Sequence, residues 1–261
     1  DNANPSAASQ SLLYRFLTAA RSRVPHLNIV LIAGNHDSPG RLEAPAPFLN
    51  AFDAHVVGVV SRNAAGEVDV ARMVVPLRDR RGEVAAWCLA IPFLRLSDVP
   101  RQDAQGDAYL EGIAALYRQV QQHAQTLRQP GQALIALGHC HMAGGQVSES
   151  SERRIVIGGA EMLSSTLFDA DIAYAALGHL HLTQKVGGQE RIRYSGSPLP
   201  LSFAEIDYPH QVLKVVLNGA GAAAVEPIAV PRAVPLLRVP KIAAPLTEVE
   251  AELSTLDFPD C

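Results

Sequence analysis

Cysteine is scarce in this 261-residue chain. Cys88, Cys140 and Cys261 are scattered and odd in number. They allow neither a disulfide framework nor a Cys-x-x-Cys zinc pattern, which suits a reducing cytoplasm. No apolar run approaches the roughly 20 residues needed to span a bilayer, so no membrane helix is expected. A basic excess is missing too. The formal net charge is −4, which argues against a protein that coats nucleic acid through a general positive field. It leaves room for an enzyme that grips phosphates locally through metal ions. No repeat of solenoid length and no low-complexity tract occurs. What remains, 48% apolar and 18% charged, is the composition of a globular chain with a sizeable core.

Short apolar runs alternate with helical patterns. After Pro5, SAASQSLLYRFLTAARSR places Leu12, Leu13, Phe16 and Leu17 at helical spacing, with Asn4 or Ser6 as cap and Val24-Pro25 as stop. LNIVLIAG (27–34) reads as a fully buried strand of the parallel kind. RLEAPAPFLNAF predicts a helix broken by Pro45 and Pro47, and His55–Val60 a brief strand. VARMVVPL and VAAWCLAIPF flank DRRGE as a hairpin over 70–92. Residues 107–128 suit a helix with Leu110, Ile113, Leu116, Tyr117 and Val120 on one face. Strands are expected at 133–141, 154–159, 172–181, 191–198, 212–217 and 235–240, and a helix begins near 248. The Ala/Gly/Pro-rich span 218–234 is the best candidate boundary. Together these predict a layered α/β fold with a parallel or mixed sheet.

Three of the runs close alike. VLIAGNHD (30–37), LIALGHCH (134–141) and YAALGHLH (174–181) each pass through a glycine into Asn-His or His-x-His. Glycine permits a sharp turn and close approach to a ligand. Imidazole and amide oxygen are donors that Mn²⁺, Zn²⁺ or Fe²⁺ accept. In His179-x-His181 an extended strand points both rings to one side, whereas a turn lets them diverge. Any one such ending is the ordinary place for a hydrogen-bonded turn histidine, and Asn35 alone fits an αL turn. Three in one α/β chain favour a shared metal site, because strands of one sheet deliver their ends to a common edge. His26, His55, His123 and His210 are left as ordinary histidines, and His141 as a residue that lines the pocket or binds.

Gly34-Asn35-His36-Asp37, Gly138-His139 and Gly178-His179-Leu180-His181 resemble the last three motifs of the calcineurin-like metallophosphoesterases. DNANPSAASQSLLYRFL, LIAGNHDSPGRLE, AIPFLR, IAYAALGHLH and YSGSPLPLSF are similar to the SbcD branch, the nuclease subunits of bacterial SbcC–SbcD DNA-end-processing complexes. The resemblance implies a layered sandwich of mixed sheets flanked by helices and a pair of Mn²⁺ ions. It implies Asn35, His139 and His179 as ligands of one ion and His181 as ligand of the other. His36 would be the catalytic general acid at the leaving 3′ oxygen, a task suited to histidine. Asp37 would orient a neighbour or cap a helix. The family opens with Asp-x-His on its first strand and Gly-Asp on its second; neither opens this chain. Asp1 resembles the last residue of a Gly-Asp-x-x-Asp stretch. The expectation is therefore a chain lacking at least roughly 30 residues at its start. Residues 1–232 would be the phosphoesterase domain, and 233–261 the beginning of a truncated capping domain. Incomplete in this way, the fragment is expected to be inactive by itself.

The same resemblance implies an SbcC-type ATPase partner, DNA ends and hairpins as substrates, and a homodimer through the helices around 6–20 and 41–52. Leu12, Leu13, Phe16, Leu17, Phe48, Leu49 and Phe52 either supply that interface or face the core. Arg78, Arg80, Arg81, Arg153 and Arg154 are candidate phosphate contacts. The alternatives are a phosphomonoesterase or small-molecule phosphodiesterase, and a non-catalytic scaffold holding one residual ion.

Overall fold

The computed structural model describes residues 3–100, 107–146 and 162–256. Helix α1 (Ala7–Arg23) starts where Ser6 accepts the Ser9 N–H at 3.1 Å, and ends at Val24 ahead of Pro25. Strand β1 (Ile29–Ile32) follows, then the short helices α2 (Pro39–Glu43) and α3 (Ala46–Leu49), separated at Pro45 as its missing N–H requires. β2 (Ala54–Val57) pairs with β1 in parallel. Among the described residues this sheet has two strands, so β1 is half-buried along its length rather than fully buried as its apolar run predicts.

The main sheet has six strands among the described residues. Their order is β3 (Val74–Arg78), β4 (Val84–Ile91), β5 (Ala133–His139), β6 (Ile172–Gly178), β8 (Gln189–Tyr194), β7 (Gln184–Val186). Contacts β4–β5, β5–β6 and β6–β8 are parallel, and the two outer pairs are antiparallel hairpins. The central strands are the near-continuous apolar runs that a parallel interior requires. Pro76 is tolerated because β3 is an edge strand. Helix α4 (Ala108–Leu127) connects β4 to β5 and packs against the β3–β4 end of the sheet. It buries Ile113, Leu116, Tyr117, Val120 and Ala124, each large side chain contributing about 1.5–3 kcal/mol. Gln121 is buried with them, and its amide binds the Tyr117 and Leu167 carbonyls and the Asp169 N–H.

The last third departs from expectation. β9 (Gln211–Asn218) pairs antiparallel with β10 (Gly221–Ala229), so most of the supposed boundary span is a strand. Residues 235–240 form no strand, and α5 (Leu246–Ser254) is the helix expected near the end. The strand expected at 154–159 lies outside the described residues. No helix among the described residues is long and apolar enough to cross a membrane.

Candidate metal centre

The three glycine-containing corners arrive at one place. β4, β5 and β6 run parallel, with Ile91 beside Gly138 and His139 beside Gly178, so their carboxyl ends lie in register. β1 joins them there: the Phe93 N–H, just past β4, donates to the Ala33 carbonyl at 2.8 Å. Asn35, His36, His139, His179 and His181 all line the resulting cleft, together with Ser195, Leu199 and Leu201.

Each corner has its own support. Asp37 accepts the Gly34 N–H at 2.7 Å and closes the first turn, leaving Asn35 half-buried and His36 exposed at the mouth. Ser38, not Asp37, stands at the start of α2. Tyr194 on β8 is buried; its hydroxyl donates to the Cys140 carbonyl at 2.6 Å and accepts the Met142 N–H at 3.0 Å. That fixes the segment after His139. His179 breaks from the strand with φ +106°, a conformation costly for a residue with a Cβ and concentrated at functional sites. The break ends the extended run at β6, so the chain turns before His181.

The polar atoms at the corner are tightly grouped. His139 Nε2 lies 2.9 Å from Asn35 Oδ1, and the His139 and His179 ring centroids are 5.5 Å apart. His141 comes within 5.8 Å of His179, centroid to centroid. Burial, followed by the neighbouring His36 and His181, pushes the His139 pKa down to about 4. Burial and the surrounding histidines push His179 down to about 3. Both rings are therefore neutral near pH 7 and keep a lone pair. His179 Nε2 is buried with no hydrogen-bond partner among the described residues, the state of a donor atom shaped for a ligand. Two neutral imidazoles and an amide oxygen suit a divalent transition ion. Asp37 also lines the cleft, its carboxylate engaged by the Gly34 N–H; among the described residues no group of three or more His, Cys, Asp or Glu side chains is placed to hold a metal.

Letters resembling the missing motifs do occur elsewhere, as Asp53-Ala54-His55 and Gly106-Asp107. Asp53 precedes β2, at the edge opposite the corners, and pairs with Arg21 at 3.1 Å. Asp107 caps α4 by accepting the Tyr109 and Leu110 N–H groups. Neither carboxylate belongs to the cleft.

No protein-family model matches the chain. Over its whole length it is 43% identical to the SbcD component of the SbcCD nuclease of Rhodobacter capsulatus. It is 35% identical over 81% of its length to the same component from Bacillus subtilis. For the Escherichia coli K12 counterpart the figures are 34% and 90%. The chain is an SbcD nuclease subunit homologue. It spans 64%, 52% and 57% of the lengths of these three relatives.

Two features of this SbcD homologue escaped the histidine pattern. Arg95 reaches toward the Asp37 carbonyl at 3.5 Å and lies over the Phe93 ring, which meets His139 edge-on. Glu205 is fully buried with an oxygen 2.8 Å from His181 Nδ1. Arg95 ends the AIPFLR stretch, which shows a resemblance but no periodicity; Glu205 lies two residues past SGSPLPLSF, where no sequence signal marked it. By contrast, Arg78, Arg80 and Arg81 lie at the β3–β4 turn, on the order of 25 Å along β4 from the corners. Arg81 pairs with Asp79 there. Arg153 and Arg154 lie outside the described residues.

Proposed function

We propose that this SbcD homologue supplies the histidine side of a two-ion phosphodiesterase centre in a Mn²⁺-dependent nuclease that processes DNA ends and hairpins. The carrying observation is the meeting of three corners from separate stretches of chain at one cleft, with His179 Nε2 buried and unpartnered among the described residues. The fold is then a metallophosphoesterase-type layered sandwich over 1–232, with the start of a small capping domain over 233–261. Asn35, His139 and His179 hold one ion, and His181 belongs to the second. When bound, such ions supply Lewis-acid stabilisation of phosphate charge and a lowered pKa for the attacking water. His36, exposed at the cleft mouth, holds the proton that passes to the leaving 3′ oxygen. Arg95, stacked on Phe93, offers a cation to the DNA backbone.

The cation charge decides what the 261-residue polypeptide does by itself. Three neutral donors offset none of the charge of a divalent ion, and the second position has one imidazole. Mn²⁺ uptake by this chain is therefore weak, and hydrolysis of DNA ends by it is absent. In the cell an SbcC-type ATPase and a second copy of the chain complete the assembly in the cytoplasm.

The test is a Mn²⁺ titration of the whole chain followed by calorimetry, with His179→Ala and His139→Ala alongside. Weak uptake that either substitution abolishes is the expected result. Equal uptake by all three proteins would overturn the proposal. Cleavage of duplex ends by the 261-residue chain would overturn its inactivity alone.

A further inference from the structure

The loop from Ser195 to Glu205 has an inverted pattern. Leu199, Leu201 and Phe203 are exposed at its surface, whereas its single acid, Glu205, is completely buried. A carboxylate without solvent is costly unless donors surround it, and here they do. Glu205 Oε2 accepts the Leu201 N–H at 3.0 Å and the Ser197 hydroxyl at 3.2 Å. Oε1 lies 2.8 Å from Nδ1 of His181. The base of the loop is also tied to His181: the Ser197 N–H donates to the His181 carbonyl at 3.0 Å. Gly196, at φ +80°, fits only because it has no side chain; a Cβ would fall 2.7 Å from that same carbonyl oxygen. The His210 ring bridges the loop ends, with Nδ1 2.9 Å from the Ser197 carbonyl and Nε2 3.3 Å from that of Glu205.

We propose that Glu205 is the positioning residue of His181, its buried carboxylate holding the ring in the Nδ1–H tautomer so that the lone pair resides on Nε2. With Oε2 filled by two donors, an ionised Glu205 offers Oε1 only as an acceptor, and Nδ1 donates to it. In water a neutral imidazole prefers the opposite tautomer, so the carboxylate reverses an intrinsic preference and fixes the ring plane. Carboxylates of this kind orient metal-bound histidines and raise their basicity. The purpose of the arrangement rests on the proposed role of His181 as a ligand; the tautomer itself does not.

Glu205→Gln separates positioning from mere support of the loop. The Leu201 N–H compels the amide oxygen to stay at the Oε2 place, so the NH₂ group faces Nδ1. His181 then accepts at Nδ1 and carries its proton on Nε2, while the loop bonds persist. The measurement is a long-range ¹⁵N–¹H correlation spectrum of the imidazoles in the metal-free full chain at mildly alkaline pH, assigned with His181→Ala. Nδ1–H in the wild type and Nε2–H in Glu205→Gln is the expected pair of results. Nε2–H in the wild type overturns the proposal without any variant, and an unchanged tautomer in a folded Glu205→Gln does so as well. Because His181 serves the second position, a Mn²⁺ titration of both proteins should show the uptake by Asn35, His139 and His179 unchanged in Glu205→Gln. A wild-type chain that takes up no Mn²⁺ yet keeps the Nδ1–H tautomer would sink the ligand role of His181 and support the positioning by Glu205.

Discussion

Gly34 and Gly178 confront the same imidazole from two strands. A Cβ on Gly34 would fall 2.7 Å from His139 Cε1, and one on Gly178 would fall 2.9 Å from His139 Nδ1. The glycine before each polar corner is thus room for a neighbour's ring rather than only freedom to turn. Gly34→Ala should displace His139, break its 2.9 Å contact with Asn35, and cost about 1–3 kcal/mol through overpacking. Urea denaturation and the His139 ring shifts check this; shifted ring resonances with unchanged stability would mean that the ring retreats freely. The same burial sets a pH dependence. His139 and His179 are held near 4 and 3 in the folded chain and return to about 6.5 when it unfolds. Between those values the unfolded state binds more protons, so stability is full above pH 6.5 and is lost as pH falls toward 3. Melting temperature should be level from pH 8 to 7 and fall between pH 6.5 and 4, less steeply in His179→Asn. Equal slopes in both proteins would remove His179 as a cause.

Helix α4 illustrates how an element is decided by its neighbours. Asp107 caps it and the apolar stripe buries it, as periodicity requires. Gly112 then stands in mid-helix, where alanine would ordinarily gain about 1 kcal/mol. Here a Cβ would meet the Pro100 carbonyl oxygen at 2.8 Å and Val99 Cγ2 at 2.9 Å. Backbone cannot retreat as a side chain can, so Gly112→Ala should destabilise by about 1 kcal/mol or more. Thermal melting of the variant checks the sign; a rise in melting temperature would show that the 99–100 segment yields.

Across the whole molecule the apolar surface is unevenly shared. Leu17 turns into the core, but Leu12, Phe16, Phe48 and Phe52 are between 59% and 77% exposed. Leu13, Tyr14, Phe48 and Leu49 line one groove between α1 and α3, together with Gln10, Asp37, Ser38 and Arg41. Scattered apolar side chains are normal on a surface, whereas a contiguous set marks an interface. If two copies meet there, Phe16→Glu with Phe48→Glu should convert a self-associating chain to a monomer. Sedimentation velocity across a concentration series reads this directly, and a wild type that is monomeric throughout would reject the interface.

Much of this was legible along the chain because its causes are local. Ser6 and the apolar spacing define α1, Pro45 breaks the helix after β1, and glycine followed by Asn35 or by His139 and His179 marks strand ends. The elements that escaped depend on partners distant in sequence. Gly221–Ala229 has the composition of a linker and becomes a strand because β9 offers a ladder to pair with; residues 235–240 have the apolar content of a strand and no partner strand among the described residues. Asp53-Ala54-His55 carries the letters of a metal motif, yet its acid stands at the wrong edge of the sheet. The contact of His139 with Asn35 spans 104 residues, and that of His181 with Glu205 spans 24. The sequence by itself determined which segments turn, cap and bury, since those preferences are written within a few residues. Only the tertiary structure decided which side chains share one cleft and which carboxylate stands behind a histidine, because strand register and loop closure set those distances.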